Sequence, residues 1–200
     1  MPGLWTRFFL NTVLTLAFAL AARAENIPWR MDPQRSVIEV GVRSTLETFQ
    51  CRVARFDAQV TMERGTQRIE QAAVTFALAD VKTGRARRDE DLLAWGGAEG
   101  SPTLSFRLTE MTRAEGGKLL VRGTVTMHGV EKTVSFPVRS LVEGSLHTFD
   151  GAAVIDYRDF GLPVIRKYFI LSVNPRLEVR FHLQGWLDLA GLPPVALAGK

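Results

Sequence analysis

The stretch LLVRGTVTMHGVEKTVSF, residues 119–136, decides the fold. Leu119, Val121, Gly123, Val125 and Met127 take alternate positions, and Arg122, Thr124 and Thr126 stand between them. Successive side chains on a strand point to opposite faces, so this run has one dry face and one wet face. The link at His128-Gly129 is short enough to predict a tight antiparallel hairpin with the next strand. The same period recurs at Ile38-Val40-Val42, Val74-Phe76-Leu78, Leu104-Phe106-Leu108 and Leu177-Val179-Phe181-Leu183. Strands are predicted at 36–43, 53–62, 72–81, 103–111, 118–127, 131–138, 147–157 and 176–187. Turn signals at Arg64-Gly65, Glu115-Gly116-Gly117, Glu143-Gly144 and Asp150-Gly151 punctuate them. Asn26 to Gln34, with Pro28 and Pro33, reads as a lead-in. Arg87 to Trp95, acidic first, then apolar and stopped by Gly96-Gly97, predicts a short helix. An all-β, eight-stranded antiparallel barrel with one short helix follows, with a β-sandwich as the alternative.

Residues 1–24 have the form of a cleaved secretory signal. Arg7 supplies the charge, Phe8 to Ala22 the apolar run, and Ala22-Arg23-Ala24 the small-x-small site. Export to the periplasm is expected, with residues 25–200 as one domain and a loosely held tail from about 188. Cleavage removes two of the 25 Lys+Arg and none of the 21 Asp+Glu, leaving a formal net charge of +2. A nearly balanced surface without a one-signed stripe argues against a nucleic-acid partner. The single cysteine, Cys51, excludes an internal disulfide, so the fold rests on its core. An odd cysteine also admits pairing between two copies in a homodimer.

Four anchors and a fifth, weaker one carry a family resemblance. They are Trp29–Ser36, the run Val81-Lys82-Thr83-Gly84 to Arg88-Asp89-Glu90-Asp91-Leu92, Ser101-Pro102 to Phe106, Val121 to Val134, and Tyr157 to Gly161. In this order and spacing they resemble the YceI-like family over Trp29 to Gly185. Arg35, Cys51-Arg52-Val53 and Trp95-Gly96-Gly97 depart from its pattern. The resemblance implies an exported, lipocalin-like barrel that binds a polyisoprenoid lipid.

Chemistry finds little foothold in the motifs. His128, His147 and His182 lack ligand spacing and are expected on the surface, so neither a metal nor a cofactor is expected. No Gly-x-Ser-x-Gly elbow is present. Asp89 is expected to cap the short helix, with Arg88 bridging it to a strand. The inward phase mixes small residues (Ala54, Ala58, Ala72, Gly123, Ala153) with phenylalanines, which leaves pocket and packed core both open. With the resemblance, the reading is a non-enzymatic carrier for an isoprenoid lipid or quinone. Val40, Phe56, Phe76, Phe106, Val125, Phe136 and Ile155 would form the wall, with Leu92 and Trp95 as lid. The alternatives are a redox or lipid-modifying enzyme using Cys51 or His128, and a packed module whose Arg166–Tyr168 loop docks on a membrane redox protein.

Overall fold

The computed structural model describes residues 26–97, 102–114, 118–167 and 170–188. The expected leader, nearly all of the tail and the turn signal at Glu115–Gly117 lie outside the described residues. The elements are β1 (Asn26–Met31), β2 (Val37–Arg43), β3 (Thr48–Val53), β4 (Asp57–Glu63), β5 (Ile69–Ala77), β6 (Val81–Lys82) and α1 (Ala86–Trp95). They continue as β7 (Thr103–Arg113), β8 (Leu119–Met127), β9 (Val130–Glu143), β10 (Leu146–Asp156), β11 (Arg166–Lys167), β12 (Leu171–Ser172) and β13 (Arg176–Leu187). Eight of these form a ring in the order β1-β4-β5-β7-β8-β9-β10-β13, and β13 closes on β1. The chain is an eight-stranded closed antiparallel barrel with one short α-helix, as the alternation predicts.

Closure depends on β13, whose residues 176–186 pair with β10 along one side. Its other side is shared: residues 178–182 pair with β2 and residues 185–187 with β1. Between them the chain turns at Asp32–Ser36, and a side chain mends the ladder. Gln184 N–H donates to Ser36 Oγ at 3.0 Å, while the Asp32 amide donates to the Gln184 carbonyl at 2.7 Å. β3 and β6 extend the same wall beyond β2.

Three local readings are corrected. The lead-in is itself a barrel strand. Pro28 fits there because its missing N–H falls where β13 is ending, at the point where Asp188 N–H donates to the Pro28 carbonyl at 2.8 Å. The single strand expected over 53–62 is two, β3 and β4. Between them Ala54 leaves the ladder to donate to the Asp80 carbonyl at 2.7 Å, and its side chain is exposed, not inward. Asp150-Gly151 is no turn but the middle of β10, where Gly151 lies under the Phe181 ring. The His128-Gly129 hairpin is present, with both residues at positive φ (52° and 73°), as a two-residue turn of this hand requires.

A bulge keeps the long strand β7 in phase. The β7–β8 register shifts between Leu108 and Glu110, and the Thr109 hydroxyl donates to the Arg122 carbonyl at 3.0 Å. The inward set therefore runs Leu104, Phe106, Leu108 and then Met111, sparing the barrel an inward Glu110.

One end of the barrel is filled. Ile27, Trp29, Met62 and His147 are each at most 4% exposed, and Trp29 meets Phe149 edge-on at 5.7 Å. His147, expected on the surface, lies on the inner face of β10 in line with Phe149, opposite Gly185. Neither of its ring nitrogens has a hydrogen-bond partner among the described residues. Burial therefore pushes its pKa down, holding it neutral.

Two predictions follow from this end. A Cβ on Gly185 would lie 2.0 Å from the Arg30 carbonyl oxygen and 2.7 Å from the Trp29 indole. Gly185→Ala should therefore destabilise the fold by about 3 kcal/mol, the upper end of overpacking costs, measured by urea unfolding. His147 binds a proton more readily when unfolded than when folded. Its contribution is present above the ordinary imidazole value of about 6.5 and is lost as pH falls below it. His147→Leu should flatten the decline in stability between neutral and mildly acidic pH; an unchanged pH profile would show that His147 is not its source.

Candidate functional site

The rest of the interior is hollow. A cavity of about 740 Å³ occupies it, within the range of small-molecule pockets. Every ring strand except β1, and β2 and β3 beside them, contributes apolar side chains in the inward phase, including Ile38, Val60, Val74, Val134 and Leu183. Three phenylalanines form a connected series along one wall. Phe106 and Phe136 have ring centroids 5.5 Å apart, and Phe136 meets Phe181 at 5.9 Å. Such offset and edge contacts hold the rings in fixed planes, leaving flat surfaces toward the space between them.

Of the residues expected from sequence, Val40, Phe76, Phe106, Val125, Phe136 and Ile155 line this wall, and Leu92 and Trp95 line it from α1. Phe56 does not. It stands in the bend between β3 and β4, half-buried against the core and outside the cavity lining. Ala58 is buried but also absent from the lining, and Gly123 is covered by Phe106, whose ring would lie 2.3 Å from an added Cβ. Sequence reasoning missed Phe49 and Cys51, which β3 turns inward, and left Phe181 and Tyr157 out of the wall. Alternation over Thr48–Val53 was the available signal for the first two.

Charged lining residues gather at the end where α1 lies: Glu47, Arg85, Arg87, Arg88, Asp91 and Arg166. The helix there is held at both ends, though not by the cap expected. Arg85 occupies the N-cap position and makes no side-chain capping bond. Asp89 instead reaches back to Thr83, accepting from its amide at 2.8 Å and its hydroxyl at 2.5 Å. Burial pushes the Asp89 carboxyl up, but these hydrogen bonds, with Lys82 and Arg88 nearby, outweigh it and hold it below the ordinary carboxylate range. Arg88 ties the helix to Glu47 in the β2–β3 turn, and its guanidinium stacks 3.8 Å over the ring of Phe49 in β3. At the far end Trp95 Nε1–H donates to the Pro163 carbonyl at 2.9 Å, and its ring meets Tyr157 at 5.0 Å. Gly96, which ends the helix, is buried against Leu78, where a Cβ would lie 2.2 Å from a methyl carbon.

The reactive candidates are dispersed or quenched. Burial pushes the Cys51 thiol up to about 11, against the pull of Arg88, so at neutral pH it is an apolar wall element. His128 lies in the β8–β9 turn at the mouth, and His147 is sealed in the filled end. His182 faces outward, 2.7 Å from Asp150.

This geometry has parallels. A UPF0312 protein of Pseudomonas paraeruginosa is 28% identical over 115 residues, which are 54% of this chain and 60% of that protein. The chain thus matches less than two thirds of the length of its curated relatives. The crystal structure of Burkholderia cenocepacia BcnA superposes with a TM-score of 0.68 at 23% identity, covering 78% of this chain and 99% of that one. A polyisoprenoid binding domain from Saccharophagus degradans, implicated in plant cell wall breakdown, gives 0.58 at 15% identity, covering 81% and 99%. These two likenesses concern the fold. The YceI-like domain family matches residues 29–185, nearly the whole barrel, and the chain belongs to that family.

Proposed function

We propose that this protein is a periplasmic, non-catalytic carrier that holds the tail of a long isoprenoid lipid, a quinone or a polyprenyl compound, inside its barrel. The observation that carries this reading is a large apolar cavity whose charges are confined to one end. Such a chamber matches an amphiphile with a long apolar tail and one polar group. Each CH₂ moved out of water contributes about 0.8 kcal/mol, so a few isoprene units bind tightly with no polar contact. The phenylalanine series offers flat faces to a chain of planar, methyl-branched units. Further support comes from the Saccharophagus degradans neighbour, which is described as a polyisoprenoid binding domain. The leader-like N-terminus supports the periplasmic part of the reading. Catalysis is left without a thiolate nucleophile, because Cys51 stays protonated at neutral pH.

Lipid extracts of the protein purified from a bacterial host should contain an isoprenoid in near-equal amount, identified by mass spectrometry. Ala72→Phe and Ala153→Phe add bulk at two positions that line the cavity. Each should remain folded by circular dichroism and lose most of its lipid. Variants that stay folded with a full lipid load would place the ligand outside the barrel and refute the reading.

Cys51 serves as an internal reporter. In the lipid-loaded protein its thiol should react with neutral thiol reagents at least about tenfold more slowly than in the delipidated protein, since a chain filling the cavity covers a thiol that lines it. Equal rates in the two forms would show that the ligand does not reach the β3 wall.

A further inference from the structure

The cavity end that carries the charges also carries two of the most exposed large apolar side chains in the described structure. Leu46, in the β2–β3 turn, is 65% exposed, and Ile170, beside β12, is 69% exposed. The other exposed large apolar residues, such as Leu120, Leu141 and Val154, lie within strands on the outer wall. Leu46 and Ile170 instead occupy neighbouring turns that are tied together. Thr45 Oγ–H donates to the Ile170 carbonyl at 2.8 Å, the Thr45 amide donates to the Ser172 carbonyl at 3.0 Å, and Ser44 bridges to Val173. Within the β2–β3 turn, the Ser44 hydroxyl donates to the Glu47 carbonyl at 2.9 Å, which braces Leu46 further. The two apolar tips are thus held side by side, away from the core, by a bonded frame.

Cations surround them. Four arginines and two carboxylates line the cavity at this end. Glu47 is engaged by Arg88, with Arg85 at 3.9 Å, and Asp91 also has a partner. Arg87 and Arg166 are exposed at the rim, and neither has an ion-pair partner among the described residues. Exposed apolar tips flanked by unneutralised arginines, around the entrance to an apolar chamber, have the chemistry of a surface that rests on anionic lipid headgroups. We propose that this rim docks on an anionic lipid bilayer, with Leu46 and Ile170 entering the headgroup region and Arg87 and Arg166 pairing with the negative surface. The proposal rests on the carrier reading: a lipid tail moves between bilayer and barrel with the least exposure to water when the mouth lies against the membrane.

Flotation of the purified protein with vesicles tests this, comparing phosphatidylglycerol–phosphatidylethanolamine vesicles with phosphatidylcholine alone. The protein should bind the anionic vesicles, be released by high salt, and bind the neutral ones at least about tenfold more weakly. The double variants Leu46→Glu/Ile170→Glu and Arg87→Glu/Arg166→Glu should each weaken binding to anionic vesicles by about tenfold or more. Both should keep the wild-type melting curve, because these side chains lie outside the core, and Leu46→Glu/Ile170→Glu, which changes no cavity-lining residue, should also keep the lipid carried from the host. Failure to bind anionic vesicles, equal binding to both compositions, or rim variants that bind like wild type would each overturn the proposal, as would crosslinking to a membrane protein without affinity for vesicles. Measuring lipid content in the same samples separates the two readings. A full lipid load without vesicle binding refutes the rim and leaves the carrier standing. Vesicle binding by a barrel that holds no isoprenoid upholds the rim and refutes the carrier.

Discussion

The pairing of β13 on both of its sides is the constraint on which the rest of the structure depends. A sheet with free edges offers unpaired N–H and C=O groups to any other chain, and only closure removes them. Here one strand receives β10 on one side and two separate segments, β1 and β2, on the other. The Ser36 hydroxyl makes that divided pairing continuous by accepting the Gln184 amide across the gap. Closure also defines an inside. Once the ring is shut, alternation assigns each side chain to the chamber or to solvent, and the bulge at Thr109 keeps β7 in phase.

The two ends of the chamber are built on different principles. At the filled end Trp29, Met62 and Phe149 are buried, the Trp29 indole and the Arg30 carbonyl approach Gly185 too closely for a side chain, and even a histidine is carried there without a hydrogen-bond partner among the described residues. At the other end α1 is secured by polar and aromatic contacts to three separate segments: Thr83, the β2–β3 turn, and the loop containing Pro163. These contacts are partly exposed, and no residue of α1 is fully buried. Local opening therefore falls more easily on the helix end than on the strand ladder.

What the sequence disclosed and what it concealed divide along physical lines. The strands with strict period-two alternation, β8 and β13 above all, were legible because one face is buried and the other wet. The short helix was legible from its acids and its terminal glycines. β1 was concealed because two nearby prolines argue for a turn, and only the end of β13 explains why Pro28 is tolerated. β3 was concealed because it is short and the bend at Ala54 was read as continuous strand, which also carried Phe56 into the wall and left Phe49 and Cys51 out. Partners distant in sequence were beyond reach. Asp89 precedes an apolar helical face in the way a cap does, yet its partner is Thr83, and Arg88 reaches Glu47, 41 residues away. His147 followed an alternation that was visible, but its burial belongs to the filled end, where distant β13 sets Gly185 opposite it.

The place of β13 in the chain has a consequence for how the protein comes into being. The strand that closes the barrel is the last of the described strands, so residues 176–187 must be present before β10, β2 or the end of β1 finds its final neighbour. Until then the nascent sheet has open edges and an apolar inner face, the combination that makes folding intermediates prone to aggregation. Contacts between β1 and β13 span nearly the whole barrel sequence, which places this fold among the slow, non-local folders. A chain with this order of assembly gains from being kept unfolded until it is complete. Truncation before Arg176 removes far more than one strand, for it takes away the common partner of both halves of the wall.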